Sequence, residues 1–311
     1  MEKLQLIQQL RSMTSAPLNS VKSALEEMGW DMDKALDLIK ARGLQMAKNA
    51  ETREATEGVV KILLHQDPTR SLGVMCEINT STDFSSRSPE FQAFATTVVN
   101  QLLTSAVADL ANASPTNDVI ESHRQELMAK IKENIQIRRF AAEEVVGDNR
   151  TVFSYVHSNN KIGVLATFEA DTAATLANPR FQKLADDICM QIAAMAPLAV
   201  SRDKLTEEAI TRQKGIFQTQ LKELNKPETS WGKIIEGKLN KYYQESCLIE
   251  QESVIVPKQT IGALLSALSQ DLTGADGNIK VLSFTRFVVG EGSVKTEIDF
   301  AEEVAKTLES N

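Results

Sequence analysis

Two short stretches recur at a fixed distance along this chain, and the recurrence restricts its fold more than any other feature. GVMCE at residues 73–77 returns as GVLAT at 163–167, and SPEFQAFA at 88–95 returns as NPRFQKLA at 178–185, both displaced by 90 positions. Each copy opens with an apolar, β-branched run, Val59 to Leu64 and Thr151 to Val156, crosses a polar turn (QDPTRS; SNNK) and returns as a second strand. In each copy a residue suited to capping a helix, Ser88 or Asn178, stands ahead of a proline suited to its first turn. The repeat predicts an α+β fold with two related halves, each a hairpin followed by a helix, and residues 119–146 as a helical connection between them.

The flanking and inserted segments have a different periodicity. Leu4, Ile7, Leu10 and Met13, then Val21, Ala24, Leu25 and Met28, then Ala35, Leu36, Leu38 and Ile39 form three helical stripes. Pro17 suits a first turn, Gly29 a helix stop, Asp31 a cap, and Gly43 the end of the third helix. Within the second half, Leu205, Ala209, Ile216, Phe217, Leu221 and Leu224 recur at three and four residues, as do Trp231, Ile234, Ile235, Leu239 and Tyr242. With Lys226-Pro227 as the turn, they predict an inserted antiparallel coiled-coil hairpin. The chain closes through a strand-like VLSFTRFVV at 281–289, a GEG turn and a helix from about Phe300 to Leu308. The expected boundaries are 1–50 for the three-helix module and 51–145 for the first half with its connection. The second half takes 146–200 and 248–290, interrupted by the hairpin at 201–247, and a C-terminal helical module takes 291–311.

Composition narrows the function. Over 311 residues, 42% hydrophobic and 24% charged composition is that of an ordinary globular protein, and a net charge of −8 offers no broad basic face for a phosphate backbone. Cys76, Cys189 and Cys247 contain no C-x-x-C pair, which fits a reducing compartment and small-residue packing. The opening MEKLQLIQQL lacks the apolar core of a signal peptide, and no run approaches the ~18 apolar residues of a membrane span. A cytoplasmic or organelle-matrix protein is expected, with no direct nucleic-acid or membrane partner; self-association is left open. Phosphate-loop, H-E-x-x-H, G-x-S-x-G and G-x-G-x-x-G motifs are all missing. No spacing brings His65, His123 and His157 together as ligands or as a base and nucleophile. Gly290-Glu291-Gly292 reads as a tight turn.

One aromatic resists this bland reading. Phe84 lies in TSTDFSSRSPEF (80–91), which is otherwise almost wholly polar. Exposing it forgoes roughly 1.5 to 3 kcal/mol of burial, so it either tucks beneath its own hairpin or is held out for a partner. Asp83 likewise reads either as a residue bonding nearby backbone amides or as a contact.

Several stretches in register resemble the elongation factor Ts family, the nucleotide exchange factors of elongation factor Tu. MTSAPLNSVKSALEEMGWDMDKALDLIKARG is similar to that family's ubiquitin-associated-like (UBA-like) module, and Thr82, Asp83 and Phe84 form its T-D-F signature. KIKENIQIRR (130–139) carries E-N-I-x-x-R-R, KPETSWGKIIEGKLNKY (226–242) has the spacing of the coiled-coil tip, and RFVVGEG with DFAEEVA resembles the family's ending. The resemblance implies no cofactor or metal site of its own. It implies that the loop of Phe84 enters elongation factor Tu between two helices flanking the magnesium site, with Asp83 beside it. Further contacts implied are Leu18 and Asn19, Met190 and Gln191, Phe300 and Val304 of the terminal helix, and Lys226, Pro227 and Trp231 at the tip. Core packing is the competing account for Leu18, Met190, Phe300 and Val304, and simple solvation for the tip. Asn19 replaces an apolar family residue, and Gln191 stands where the family commonly has histidine. A binding scaffold or chaperone without exchange activity is the rival function.

Overall fold

In the computed structural model, residues 3–14, 16–224, 226–274 and 278–293 are described. Phe300, Val304 and the expected C-terminal helix lie outside them. The chain begins with α1 (Lys3–Thr14), α2 (Leu18–Glu27) and α3 (Met32–Glu51), packed around Leu10, Val21, Ala24, Leu25 and Ala35. The first half then runs β1 (Glu57–Gln66), β2 (Arg70–Thr80), α4 (Asp83–Arg87), α5 (Pro89–Ala108), α6 (Asp118–Ile131) and β3 (Ile135–Val146). The second runs β4 (Arg150–His157), β5 (Ile162–Glu169), α7 (Ala173–Ala177), α8 (Pro179–Met195), the hairpin α9 (Glu207–Glu223) and α10 (Trp231–Ser246), α11 (Ile261–Thr273) and β6 (Lys280–Val288).

The repeat has become two three-stranded antiparallel sheets of the same topology, β1-β2-β3 and β4-β5-β6. One face of the first sheet packs on α5 and α6 through Val59, Val74, Phe91, Phe94 and Leu102. One face of the second packs on α8 and α11 through Phe168, Phe181, Ile188 and Leu265. The remaining faces meet each other, Val60, Met75 and Val145 against Val152, Leu165 and Phe287. The central strands β2 and β5 are therefore covered on both sides, which is why LGVMC and its counterpart IGVLA read as continuous apolar runs instead of alternations.

The repeated glycines mark the closest approach of the two sheets. A Cβ on Gly73 would lie 2.8 Å from both Leu165 Cδ2 and Val152 Cγ1, and one on Gly163 would lie 2.4 Å from Val60 Cγ1 and 2.8 Å from Met75 Sδ. Each half thus supplies one flat spot for the other's side chains.

Three expectations are corrected. Gly43 does not end the third helix; α3 runs on to Glu51, and Gly43 faces α6, where an added Cβ would touch Ala129 at 3.5 Å. The extension carries Ala47 and Ala50 into the core of the first half. Residues 119–146 are not all helical. The helix stops at Lys132, in the left-handed conformation, and 135–146 forms β3, paired with β2 from Thr80 to Arg70. Finally, Ile216 and Leu224 are exposed and not in the hairpin seam, because a two-helix excursion covers only one face of each helix; Leu221 and Leu239 are buried within it, and Leu205 is buried just ahead of α9.

Candidate partner-binding site

α4 is only five residues long and owes its existence to caps. Thr82, in an extended conformation, accepts a hydrogen bond from Ser85 N at 3.2 Å, and the Ser88 hydroxyl accepts from Phe91 N at 3.3 Å to start α5 with Pro89 in its first turn. Ser86 donates to Asp83 O at 2.8 Å, and Gln92 Nε2 donates to Ser86 O at 2.6 Å. Asp83 occupies the first turn, where a carboxylate suits the helix dipole, and pairs with Arg87 at 3.0 Å. Ser85 and Ser86 are buried, so the helix is pinned by its small polar side while Phe84, 83% exposed, points away from the body. The core-packing account of Phe84 fails on that number.

Beneath the loop lies a carboxylate from 51 residues downstream. Glu133 Oε2 accepts from Thr82 N at 3.1 Å and Thr80 Oγ1 at 3.3 Å, and Glu133 Oε1 accepts from Thr82 Oγ1 at 2.8 Å. Its neighbour Asn134 is buried and donates Nδ2 to Glu51 O and Arg53 O, fixing the entry to β3 against the end of α3.

The other expected residues fall on separate elements. Leu18, 50% exposed, and exposed Asn19 open α2, near in sequence to exposed Met13. Met190 is partly buried. Gln191 is fully enclosed and its amide is saturated: Nε2 donates to Gln251 Oε1 and Glu252 O, both at 3.1 Å, and Oε1 accepts from Val254 N at 2.9 Å. It has no free face for a partner; instead it holds the loop that exposes Val254 and Ile255. At the hairpin tip, Lys226 and Pro227 are exposed, and half-buried Trp231 donates Nε1 to Lys226 O at 2.9 Å, closing the turn on itself. Among the described residues, no hydrogen bond or ion pair joins one of these groups to another.

A second charged cluster joins the two halves. Glu77 on β2 is completely buried. It accepts from Arg138 Nη1 at 2.9 Å, Arg139 Nε at 2.5 Å and Gly290 N at 2.8 Å, while Arg138 also reaches Glu291 O. Burial is the largest single influence and opposes ionisation of Glu77. The Gly290 N–H and the two guanidinium groups together outweigh it, holding the carboxyl below the usual range. The GEG turn that leads into the C-terminal segment is thereby fastened to the first sheet. Glu133, Arg138 and Arg139 lie in the charged E-N-I-x-x-R-R run entering a strand, which is the sequence signal for them, whereas nothing around Glu77 in GVMCE marks it.

Nothing described resembles a reaction centre. His65 lies 3.8 Å from Asp67, His157 Nδ1 meets Tyr155 OH at 2.8 Å, and His123 packs edge-on to Phe94, so the histidines stay apart. Burial, with help from the charge of Glu77, pushes the Cys76 thiol up to about 12, and burial pushes Cys247 up to about 11, as expected of packing residues. Among the described residues, no three His, Cys, Asp or Glu side chains group as a metal would require, and no helix is long and apolar enough to cross a membrane.

Comparison with known proteins gives the arrangement its context. A family model described as Elongation factor TS matches residues 81–291. Elongation factor Ts of Teredinibacter turnerae is 40% identical over 301 residues, covering 96% of this chain and 94% of that protein. Elongation factor Ts of Saccharophagus degradans is 38% identical over 301 residues (96% and 95%), and that of Clostridium botulinum strain Alaska E43 is 34% identical over 306 residues (97% of each). The family match opens at Ser81, one residue before the cap of α4, and ends at Glu291, in the turn fastened by Glu77. With identities of this size over nearly its whole length, the chain belongs to the elongation factor Ts family, the translation elongation factors that act in nucleotide exchange on elongation factor Tu.

Proposed function

We propose that this chain performs no bond-making chemistry and promotes GDP release by binding elongation factor Tu more tightly when its nucleotide site is empty, with Phe84 as the inserted side chain. The observation that carries the reading is the exposure of Phe84, 83%, on a helix pinned through its caps and its buried serine side. An aromatic held out by a fixed mount suits insertion between partner helices beside the magnesium site, with Asp83 next to it.

Linkage fixes the scale. If chain and nucleotide weaken each other's binding, they do so by the same factor. A 10⁴-fold effect requires roughly 5.5 kcal/mol of preference for the empty partner. One buried phenylalanine supplies at most about 3 kcal/mol, so other surfaces must contribute. We assign these to Leu18 and Asn19 on a UBA-like first module (1–50), to the Val254–Ile255 loop held by Gln191 beside Met190, to the C-terminal segment with Phe300 and Val304, and to the tip at Lys226, Pro227 and Trp231. Cofactor, nucleic acid and membrane have no part in this scheme, which fits a cytoplasmic site of action.

Stopped-flow release of a fluorescent GDP analogue from elongation factor Tu tests it. Phe84→Ala should slow catalysed release by about 10- to 100-fold, the equivalent of 1.5 to 3 kcal/mol, with an unchanged melting temperature. A partner that holds the analogue equally well with and without this chain would refute exchange altogether and leave a scaffold.

A further inference from the structure

The two halves share a capped short helix, but the carboxylate that ties its start to the following strand entry is placed differently: in the first half it is Glu133, bonded to the Thr82 cap itself, and in the second it is Asp171, which accepts from Asn278 N at 2.6 Å. Thr82 and Thr172 are 90 positions apart, and each accepts a hydrogen bond from the backbone N–H three residues on, Ser85 N and Thr175 N, at 3.2 Å. The threonine cap therefore suffices to build α4 or α7. At the position of Phe84 the second half has Ala174, and E-N-I at 133–135, leading into β3, is matched by G-N-I at 277–279, leading into β6. Phe84 and Glu133 are present together in one copy and replaced by alanine and glycine in the other. The bridge of Asp171 to Asn278 joins the same two segments without holding the threonine cap, and among the described residues no carboxylate bonds Thr172, so a carboxylate on the cap goes with the aromatic and not with the fold alone.

We propose that Glu133 is a positioning residue for nucleotide exchange, locking the Thr82 turn so that Phe84 is presented in its insertion geometry before the partner arrives. This rests on the reading of Phe84 given above. An isolated five-residue helix is too short to hold itself, and Phe84 has almost no packing of its own. The bonds from Thr80 Oγ1, Thr82 N and the Thr82 hydroxyl, which is shared between both carboxylate oxygens, to Glu133 constrain both the strand end and the helix start. Glu133 is itself rigidly mounted between Lys132, whose carbonyl accepts from Arg53 Nη1 at 2.8 Å, and buried Asn134. Order established before binding need not be imposed during it, so preorganisation raises affinity for the insertion state without a new contact.

A double-mutant cycle reads this directly. Release of a fluorescent GDP analogue from elongation factor Tu is measured with the full chain, Phe84→Ala, Glu133→Ala, the double variant and Glu133→Gln, with circular dichroism and urea midpoints recorded alongside. Glu133→Ala should slow release about five- to tenfold in the parent and less than twofold in the Phe84→Ala background, since the residue acts through Phe84. Glu133→Gln, which keeps one acceptor oxygen, should recover part of the rate. Equal slowing in both backgrounds, or none in the parent, overturns the role of Glu133; so does a Glu133→Gln variant with a parental urea midpoint and no better release than Glu133→Ala. Undiminished release with Phe84→Ala overturns the reading of Phe84 itself, and the role of Glu133 with it, a result distinguishable from slow Phe84→Ala beside normal Glu133→Ala.

Discussion

Gly163→Ala offers the most direct challenge to the sheet-on-sheet packing from which α4 and the Gly290 turn project. The new methyl would lie 2.4 Å from Val60 Cγ1, 2.8 Å from Met75 Sδ and 3.2 Å from Ile62 Cδ1. Carbon contacts are optimal at about 3.5 to 4.0 Å, so Val60 must retreat by roughly an ångström, while Met75 can swing aside on its flexible chain. Val60 is β-branched, fully buried and fixed in β1, whose pairing with β2 resists a shift. Overpacking of this kind costs about 1 to 3 kcal/mol, and the upper half of that range is expected against a loss of strand entropy by glycine of only about 0.5 to 1 kcal/mol in the opposite direction. At about 2 °C per kcal/mol for a chain of this size, the melting temperature should drop by about 2 to 5 °C. Val60→Ala alone should also destabilise, by about 2 kcal/mol through its cavity. The pair should be less damaging than the two losses added together, with a coupling of about 1 kcal/mol or more, because the smaller residue makes room for the methyl. Denaturant midpoints of the four proteins decide it. Strict additivity, or a Gly163→Ala protein as stable as its parent, would refute the packing argument.

Two further outcomes are expected. Glu77→Gln should cost about 3 kcal/mol near neutral pH, since it strips the partner from two guanidinium groups at a buried site. Because the folded-state pKa of Glu77 is lowered, its contribution is present above the ordinary value of about 4.3 and is lost as pH falls through the lowered one. Acid titration of stability should therefore be shallower in the variant below about pH 4, and parallel curves would contradict it. At the tip, Trp231→Phe removes the bond to Lys226 O, a loss of about 1 kcal/mol; hydrogen exchange should speed up at the Lys226 amide, bonded to Leu221 O, with the global melting temperature unchanged.

What the sequence disclosed depended on how locally each feature is determined. The hairpins, the Ser88-Pro89 and Asn178-Pro179 helix starts and the Asp31 cap are set by neighbours within a few residues, and all lie where the patterns place them. AAEEVV is rich in helix formers and suggests a helix by itself, and only its pairing along the whole of β2 makes β3 a strand. Gly43 carries a stop signal that close packing on Ala129 overrides. At the site, the T-D-F motif was legible as a motif, but whether Phe84 pointed in or out was not, since direction depends on the buried Ser85 and Ser86 beneath it. The resemblance implies Gln191 as a contact, and the three hydrogen bonds that enclose it come from a loop 60 or more residues away, beyond the reach of a local pattern.

β2 explains why an exchange surface should be built on this particular scaffold. Its Thr80 end bonds Glu133 under α4, and three residues earlier Glu77 fastens the turn from which the C-terminal segment leaves. A single strand, buried at every residue but its first, thus links the mount of Phe84 to the turn from which the C-terminal segment, a contact on the proposed reading, leaves. Insertion worth only a few kcal/mol can distort a neighbour only if the inserting side yields less than the neighbour does, because energy stored in a soft mount is lost to the exchange. The second half, clamped against β2 through Leu165 and Val152 over Gly73, stiffens that strand from behind. On the proposed reading the second half, with Ala174 and Gly277 where the first has Phe84 and Glu133, serves exchange by backing the copy that carries them.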